Sequence, residues 1–340
     1  MRKQYATLKD VAQRAGTSTA TVSYVLNNSK QRYISEEMRH TVQEAAEALN
    51  YIKCGGASSL RGKSRKMIAV LVPQFENQFF TRIVLAIERV FDEFGYILTI
   101  CNTFEDASRE MDILKRLQQQ RMDGYIVTPT RDGALNTKQL RQLGVPMVVV
   151  DRPLEGVDDY YGVSTWNYRC GRLAADHLLD KGHRNIAFVG WDSGLTHLTE
   201  RKSAFVDACL ERGISREKLV MIDGAFTSDE GYRITEKVLR VHPDVTAIIY
   251  GFNIQAKGGI KRLMEENIDI PQDMSIVLIG SPEWATAGRN SFTHVEMGDY
   301  ELGYKAANLL LEIINREGHV PPTHLVQECT LVEGRSVKER

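Results

Sequence analysis

From Lys66 onward the chain alternates short apolar runs with helix-length amphipathic stretches, and this alternation restricts its possible folds more than any other feature. Residues 68–72, 96–100, 124–128, 147–150, 185–189, 219–222, 247–250 and 275–279 are each strand-sized and almost continuously apolar. Such runs mark strands covered on both faces by helices, which is a parallel α/β plan, used here twice. A chain of 340 residues is too long for one ordinary domain and long enough to bury a large core. Sheets of this kind bind ligands at the carboxyl ends of their strands, here in a cleft between two lobes.

Ahead of this body lies a segment of opposite charge. Residues 1–66 carry twelve Lys and Arg against five acids, although the whole chain sums to −1, so a basic head sits on an acidic body. A compact basic head suits a polyanion, because each cation placed on a phosphate releases condensed counterions; a solvated basic face without a partner is the alternative. Its pattern predicts three helices. Thr7-x-x-Asp10 is a capping-box start followed by Leu8, Val11, Ala12 and Ala15 on one face, and Gly16 ends it. Ser18 can cap a second helix with Val22, Val25 and Leu26 inward, closed by Asn27-Asn28-Ser29. Ser35 opens a third whose Met38, Val42, Ala45, Ala46 and Leu49 form one apolar stripe. Two short helices across a Gly turn, closed by a third, make a helix-turn-helix, and Ser18, Thr19, Ala20 and Thr21 then point at base edges of the major groove.

The run from Thr7 to Asn27 (TLKDVAQRAGTSTATVSYVLN), then Ile34-Ser-Glu-Glu and Leu49-Asn-Tyr51, resembles the DNA-binding head of the lactose-repressor/galactose-repressor family, and the match continues to about residue 335. The resemblance implies an N-terminal all-α helix-turn-helix domain over residues 1–50, a hinge at 51–66, and an effector-binding and dimerisation domain over 67–335. The last is expected to be an α/β periplasmic-binding-protein-like domain of two doubly wound parallel-sheet lobes with three interlobe crossings. Lobe 1 is assigned about 67–162 and 294–323, lobe 2 about 163–293 and 324–335. DNA contacts carry over to Thr7, Ser18, Thr19, Ala20, Thr21, Ser23, Tyr24 and Asn27. Thr17 stands where the family usually has valine, and Tyr24 where it usually has arginine, so the inherited base preference at the position of Tyr24 does not carry over. In the hinge, Leu60 takes the position of a leucine that wedges into the minor groove, with Ala57 and Arg61 beside it. Lys53-Cys54-Gly55-Gly56 departs from the family, and each Gly costs about 0.8 to 1.0 kcal/mol of helix propensity relative to Ala. A phosphate-loop reading of Gly62-Lys63-Ser64 fails, because Ala57 stands where the first glycine belongs.

For the effector cleft the resemblance implies Phe79, Phe80, Asp151, Arg201 and Phe226, with core packing the alternative for the aromatics and strand capping for Asp151. Sugar-binding relatives carry an Asn-Asp pair, an Asp and a Gln where this chain has Phe252-Asn253, Gly280-Ser281 and Met297. Asn253 and Ser281 are therefore carried as effector-site candidates. Carboxylates accept from two sugar hydroxyls at once and their replacements do not, so a neutral sugar is disfavoured. Keeping Arg201 while losing two acids favours an anion such as a sugar phosphate or an organic acid. Regulation by a protein partner, or by nothing, is the other reading.

Other classes fit less well. No Gly-x-Gly-x-x-Gly follows a strand and no Gly-x-Ser-x-Gly elbow is present, so an enzyme on this scaffold is not expected, and no cofactor is indicated. Cys54, Cys101, Cys170, Cys209 and Cys329 are scattered without metal-ligand spacing, and His177 and His183 read as helix and loop histidines, so no metal is expected. The N-terminus lacks an apolar signal region and no run spans a bilayer, which predicts a cytoplasmic protein with no membrane partner rather than a secreted solute-binding protein. The expected partners are double-stranded DNA carrying a palindromic operator, a small-molecule effector and a second copy of the chain. Residues 332–340 are too few for a heptad bundle, so a homodimer is expected rather than a tetramer.

Overall fold

The computed structural model describes residues 6–27, 33–51, 64–191, 194–286, 291–316, 318 and 320–340. The chain divides into two compact units, residues 1–65 and 66–340.

In the first unit Thr7 caps α1 (Leu8–Arg14), and the capping box is complete. The Thr7 N–H and hydroxyl each donate to Asp10 Oδ2 at 2.7 Å, while the Asp10 N–H returns to Thr7 Oγ1 at 3.3 Å. Gly16, in the left-handed region at φ 64°, turns the chain into α2 (Thr19–Leu26). Ser35 caps α3 (Glu36–Ala48) through the Met38 N–H at 3.3 Å. Val11, Ala12, Ala15, Val22, Val25, Val42, Ala45 and Ala46 form one small core, with Leu8, Leu26, Met38 and Leu49 against it. These are the positions that the helical spacing selects.

The second unit opens with β1 (Met67–Val72), α4 (Gln78–Glu93), β2 (Ile97–Asn102), α5 (Ala107–Gln119), β3 (Gly124–Val127), the short α6 (Gly133–Asn136) and α7 (Lys138–Gln142), β4 (Met147–Asp151) and β5 (Tyr161–Thr165). It continues through α8 (Asn167–Asp180), β6 (Ile186–Trp191), α9 (Thr196–Glu211), β7 (Val220–Gly224), α10 (Ser228–Val241), β8 (Ala247–Tyr250), α11 (Asn253–Glu265) and β9 (Ser275–Ile279). The short α12 (Glu283–Thr286), β10 (Thr293–Glu296), α13 (Asp299–Asn315), β11 (His324–Gln327) and β12 (Thr330–Val332) complete it. The first sheet runs β11-β5-β4-β3-β1-β2 with every pairing parallel. The second runs β12-β10-β9-β8-β6-β7, parallel except at β10–β12. All eight strands expected from apolar runs are present.

The sheets correct the lobe boundaries. β5 belongs to the first sheet through Thr165, β10 to the second although residues from 294 were assigned to lobe 1, and β11 to the first although residues from 324 were assigned to lobe 2. The chain therefore crosses between lobes at 165–167, 296–299 and 327–330, each time just after a strand ends. One core cluster continues through both lobes, joining α4 and α13 on the first sheet to α8 and α9 on the second. Separate clusters cover the opposite faces, under α10 and α11 on the second sheet and α5 and α7 on the first. Close helix contact is set by Gly171 in α8, where a Cβ would lie 2.1 Å from the Arg201 carbonyl oxygen of α9. Among the described residues, no helix is long and apolar enough to cross a membrane.

Candidate functional site

At the start of α2, Ser18, Thr19 and Ala20 are exposed, while Thr21, Ser23 and Tyr24 are half-buried. Ser18 Oγ accepts the Thr21 N–H at 3.1 Å and lies 2.9 Å from Thr21 Oγ1, so these two hydroxyls hold the helix start together. Asn27, also exposed, donates from Nδ2 to the Ser23 carbonyl at 2.7 Å and to Ser23 Oγ at 3.1 Å, closing the other end. Thr7, Ser18 and Asn27 thus each have a capping role within the head. Ala57, Leu60 and Arg61 lie outside the described residues.

The interlobe cleft is built at the carboxyl ends of strands, as doubly wound sheets require. From lobe 1 come Phe79 and Phe80, in the first turn of α4 behind the cap Asn77, and Asp151 and Arg152, where β4 ends. From lobe 2 come Trp191 at the end of β6, Phe226 after β7, Phe252 and Asn253 after β8, Arg201 from α9 and Met297 after β10. Trp191, Phe226 and Phe252 pack mutually, with ring centroids 4.8 to 5.8 Å apart. The space left is about 40 Å³. That admits a water or two, against roughly 300 Å³ or more for an ordinary ligand pocket.

Two guanidinium groups dominate the electrostatics. Arg201, 4 % exposed, donates from Nε to Asn167 Oδ1 at 2.7 Å, from Nη1 to the Gly251 carbonyl at 2.7 Å and from Nη2 to Met297 Sδ at 3.2 Å. It also lies 4.9 Å over the Phe252 ring. Every nitrogen of the fork expected to grip an anion therefore already holds a protein acceptor. Burial holds its pKa below the ordinary arginine value. Arg152 is equally buried and is gripped on both terminal nitrogens by Glu105, at 2.7 and 2.5 Å, with the Pro129 carbonyl at 3.2 Å. Burial opposes its charge, but the hydrogen bonds and charge of Glu105 prevail and raise its pKa. Asp151, 3.7 Å from Arg152 Nε, is pushed up by burial against the pull of Arg152 and then Arg201. Its φ of 69° puts a non-glycine residue in the left-handed region at the cleft, a strained backbone of the kind that collects at ligand sites.

The structure brings together Phe79, Phe80, Asp151, Arg201, Phe226 and Asn253 around one space. Ser281 lies apart from its lining: its carbonyl accepts Arg82 Nη1 at 3.3 Å, and its hydroxyl is buried without a partner. Gly280, at φ 108°, has a conformation that L side chains rarely adopt, and a Cβ there would lie 2.6 Å from Asn253 Nδ2. The acid that relatives carry at this position thus conflicts with both the backbone and the neighbour. Asn253 Oδ1 is buried without a hydrogen-bond partner. Sequence reasoning missed Arg152 and Trp191. The available signal was the polar pair Asp151-Arg152 directly after an apolar strand, and an aromatic closing another. Lobe 1 also touches lobe 2 at the cleft mouth, where Gln78 Oε1 accepts the Glu283 N–H at 3.0 Å and Arg82 stands 4.0 Å from the Glu283 carboxylate. His183 is a structural residue of lobe 2, bonded to Thr246 and Lys338. No cluster of metal-ligating groups occurs among the described residues.

Comparison with known proteins places these features. The sequence pattern of bacterial regulatory proteins, lacI family, matches residues 7–53, and that of a periplasmic binding protein-like domain matches residues 175–337. A ribose operon repressor of Halalkalibacterium halodurans is 32 % identical over 95 % of this chain and 97 % of its own length. Among solved structures, a LacI-family transcriptional regulator from Silicibacter pomeroyi superposes with a TM-score of 0.82 at 25 % identity, covering 98 % of this chain and 99 % of that one. A LacI-family regulator from Enterococcus faecium with bound ribose gives 0.73 at 26 % identity over 81 % of this chain and 99 % of that one. The chain belongs to the lacI family of bacterial regulatory proteins, and it is a DNA-binding transcription regulator.

Proposed function

We propose that the chain acts in the bacterial cytoplasm as a homodimeric repressor. It binds a palindromic operator through Ser18, Thr19, Ala20, Thr21, Ser23 and Tyr24, with Ala57, Leu60 and Arg61 of the hinge, and is modulated by a small anionic molecule in the interlobe cleft. Two heads related by a two-fold axis match a two-fold operator. The observation that carries the anion is the pair of buried guanidinium groups, Arg152 and Arg201, facing a lining whose own carboxylate is Asp151 alone. Ligand entry requires the lobes to part; the bonds of Arg152 to Glu105 lie within lobe 1 and those of Arg201 to Gly251 and Met297 within lobe 2, so an entering anion has to displace them. The Enterococcus faecium regulator with bound ribose supports modulation by a small molecule.

Thermal-shift screening of the full chain tests this, since a ligand at one hundred times its dissociation constant stabilises by roughly 2.7 kcal/mol. Sugar phosphates or organic acids are expected to raise the melting temperature, and Arg201→Ala to abolish the rise. Stabilisation by neutral pentoses or hexoses alone, untouched by that substitution, refutes the anion. A second reading is regulation by a protein partner or by no effector. It is favoured by the aromatic filling that leaves only about 40 Å³, and silence across the whole panel selects it.

A further inference from the structure

Two of the chain's cysteines meet at the interlobe crossings, a placement that spacing along the sequence does not reveal. Cys170 lies in the first turn of α8, just after the first crossing, and Cys329 lies within the third. The Trp166 carbonyl accepts the Cys170 N–H at 3.1 Å, and Cys329 Sγ sits 4.0 Å from the same oxygen. The two cysteines thus meet around one carbonyl, and both belong to the continuous core that joins the lobes. Cys101 and Cys209 stand apart from this pair, beside Arg109 and Arg184 respectively.

The pair is polarised. Cys170 is wholly enclosed, whereas Cys329 keeps 6 % of its surface exposed, enough to mark it as the sulfur that a small oxidant meets first. Interaction with its neighbour holds the Cys329 thiol below its ordinary value, and the same interaction together with burial raises that of Cys170. A nucleophilic thiol backed by a protonated one is the arrangement of a reacting and a resolving cysteine.

We propose that Cys329 and Cys170 form a dithiol that a hydroperoxide oxidises to a disulfide, tying the first interlobe crossing to the third. The Cys329 thiolate attacks the outer peroxide oxygen, the O–O bond breaks, and the oxygen left behind departs, after protonation, as water or an alcohol. The resulting sulfenic acid is attacked by the Cys170 sulfur; the S–S bond forms, the S–O bond breaks and water leaves. Two thiols are oxidised and one peroxide is reduced. The bond constrains how far the lobes rotate, because two of their three connections become one.

The test is peptide mass spectrometry of the full chain after hydrogen peroxide, with free thiols alkylated first. The expected result is loss of two of five alkylatable thiols and a cross-linked peptide pair containing Cys170 and Cys329, which dithiothreitol reverses. Cys170→Ser is expected to arrest the reaction at a dimedone-trappable sulfenic acid on Cys329. The proposal is overturned if both thiols remain alkylatable after peroxide has oxidised Cys101. It is equally overturned if Cys329 pairs with a different cysteine, or goes to sulfinic acid in the wild type without forming the cross-link. The wild-type measurement decides even if the variant does not fold.

Discussion

Acid lability should trace in large part to His183. The ring is 1 % exposed, with Nε2 3.1 Å from the Lys338 carbonyl and Nδ1 2.7 Å from Thr246 Oγ1. A carbonyl only accepts, so Nε2 carries the proton in the neutral ring and Nδ1 accepts from the Thr246 hydroxyl. Protonating Nδ1 turns that hydroxyl toward its other acceptor, the Asn185 carbonyl at 3.3 Å, and puts a cation in an enclosed site beside Arg340, His177 and Lys338. Burial first, and those neighbours after it, depress the His183 pKa from 6.5 to about 4. The folded pKa lies below the unfolded one, so the stabilisation is complete above pH 6.5 and is lost as pH falls toward 4. At 1.36 kcal/mol per unit the full loss is about 3 kcal/mol, of which about 2 kcal/mol is gone by pH 5. Urea unfolding between pH 7 and 5 should show this slope in the wild type. In His183→Gln, whose amide can donate to Lys338 and accept from Thr246, the slope should flatten by about that amount, whatever its stability at pH 7. Equal losses in both proteins over that range refute the assignment.

Other substitutions test the packing and the DNA contacts. Gly171→Ala forces α8 and α9 apart, because the new Cβ would meet the Arg201 backbone at 2.1 to 2.8 Å; a loss of about 1 to 3 kcal/mol in urea unfolding is expected. Gly280→Asp restores an acid that relatives carry but should cost about 1 to 3 kcal/mol, since φ is 108° and Asn253 fills the space. Leu60→Ala should weaken operator binding while leaving retention on nonspecific duplex nearly unchanged, as measured by titration at equal salt. Sedimentation should give two subunits, and a four-subunit mass refutes the dimer.

Much of the architecture was legible because apolar runs, left by burial in β1, β3, β4, β6, β8 and β9 and retained at the half-buried edges β2 and β7, located eight strands within a residue or two. The strands missed are those for which this signal fails. β11 is His-Leu-Val-Gln, β12 is only Thr-Leu-Val, β10 mixes Thr, His and Glu with one valine, and β5 is Tyr-Gly-Val-Ser-Thr. These strands adjoin the crossings, so the same weakness displaced the lobe boundaries. In the head, caps and spacing sufficed because each helix carries its own start signal in Thr7, Ser18 or Ser35. The cleft was only partly legible. Arg152 acquires its role from Glu105, 47 positions away, through a contact that no local pattern encodes.

That contact also changes how the cleft's charge should be counted. Reading the sequence alone, the loss of acids at Asn253 and Gly280 left Arg201 facing an anion. In the folded chain a second guanidinium is present, but Glu105 sits on it in the two-pronged geometry that an incoming carboxylate or phosphate would use. Glu105 reaches that position from a turn in which Phe104 and Glu105 both have positive φ, 55° and 57°. A local backbone cost is therefore offset by the ion pair it permits. An anion that enters must replace the Glu105 bonds, or the Gly251 and Met297 bonds of Arg201, before it gains its own. Its net affinity rests on the difference between two similar sets of charge-assisted hydrogen bonds. Under the anionic-effector proposal, selectivity follows from the same balance: a neutral sugar brings no charge to replace that of Glu105, whereas an anion does.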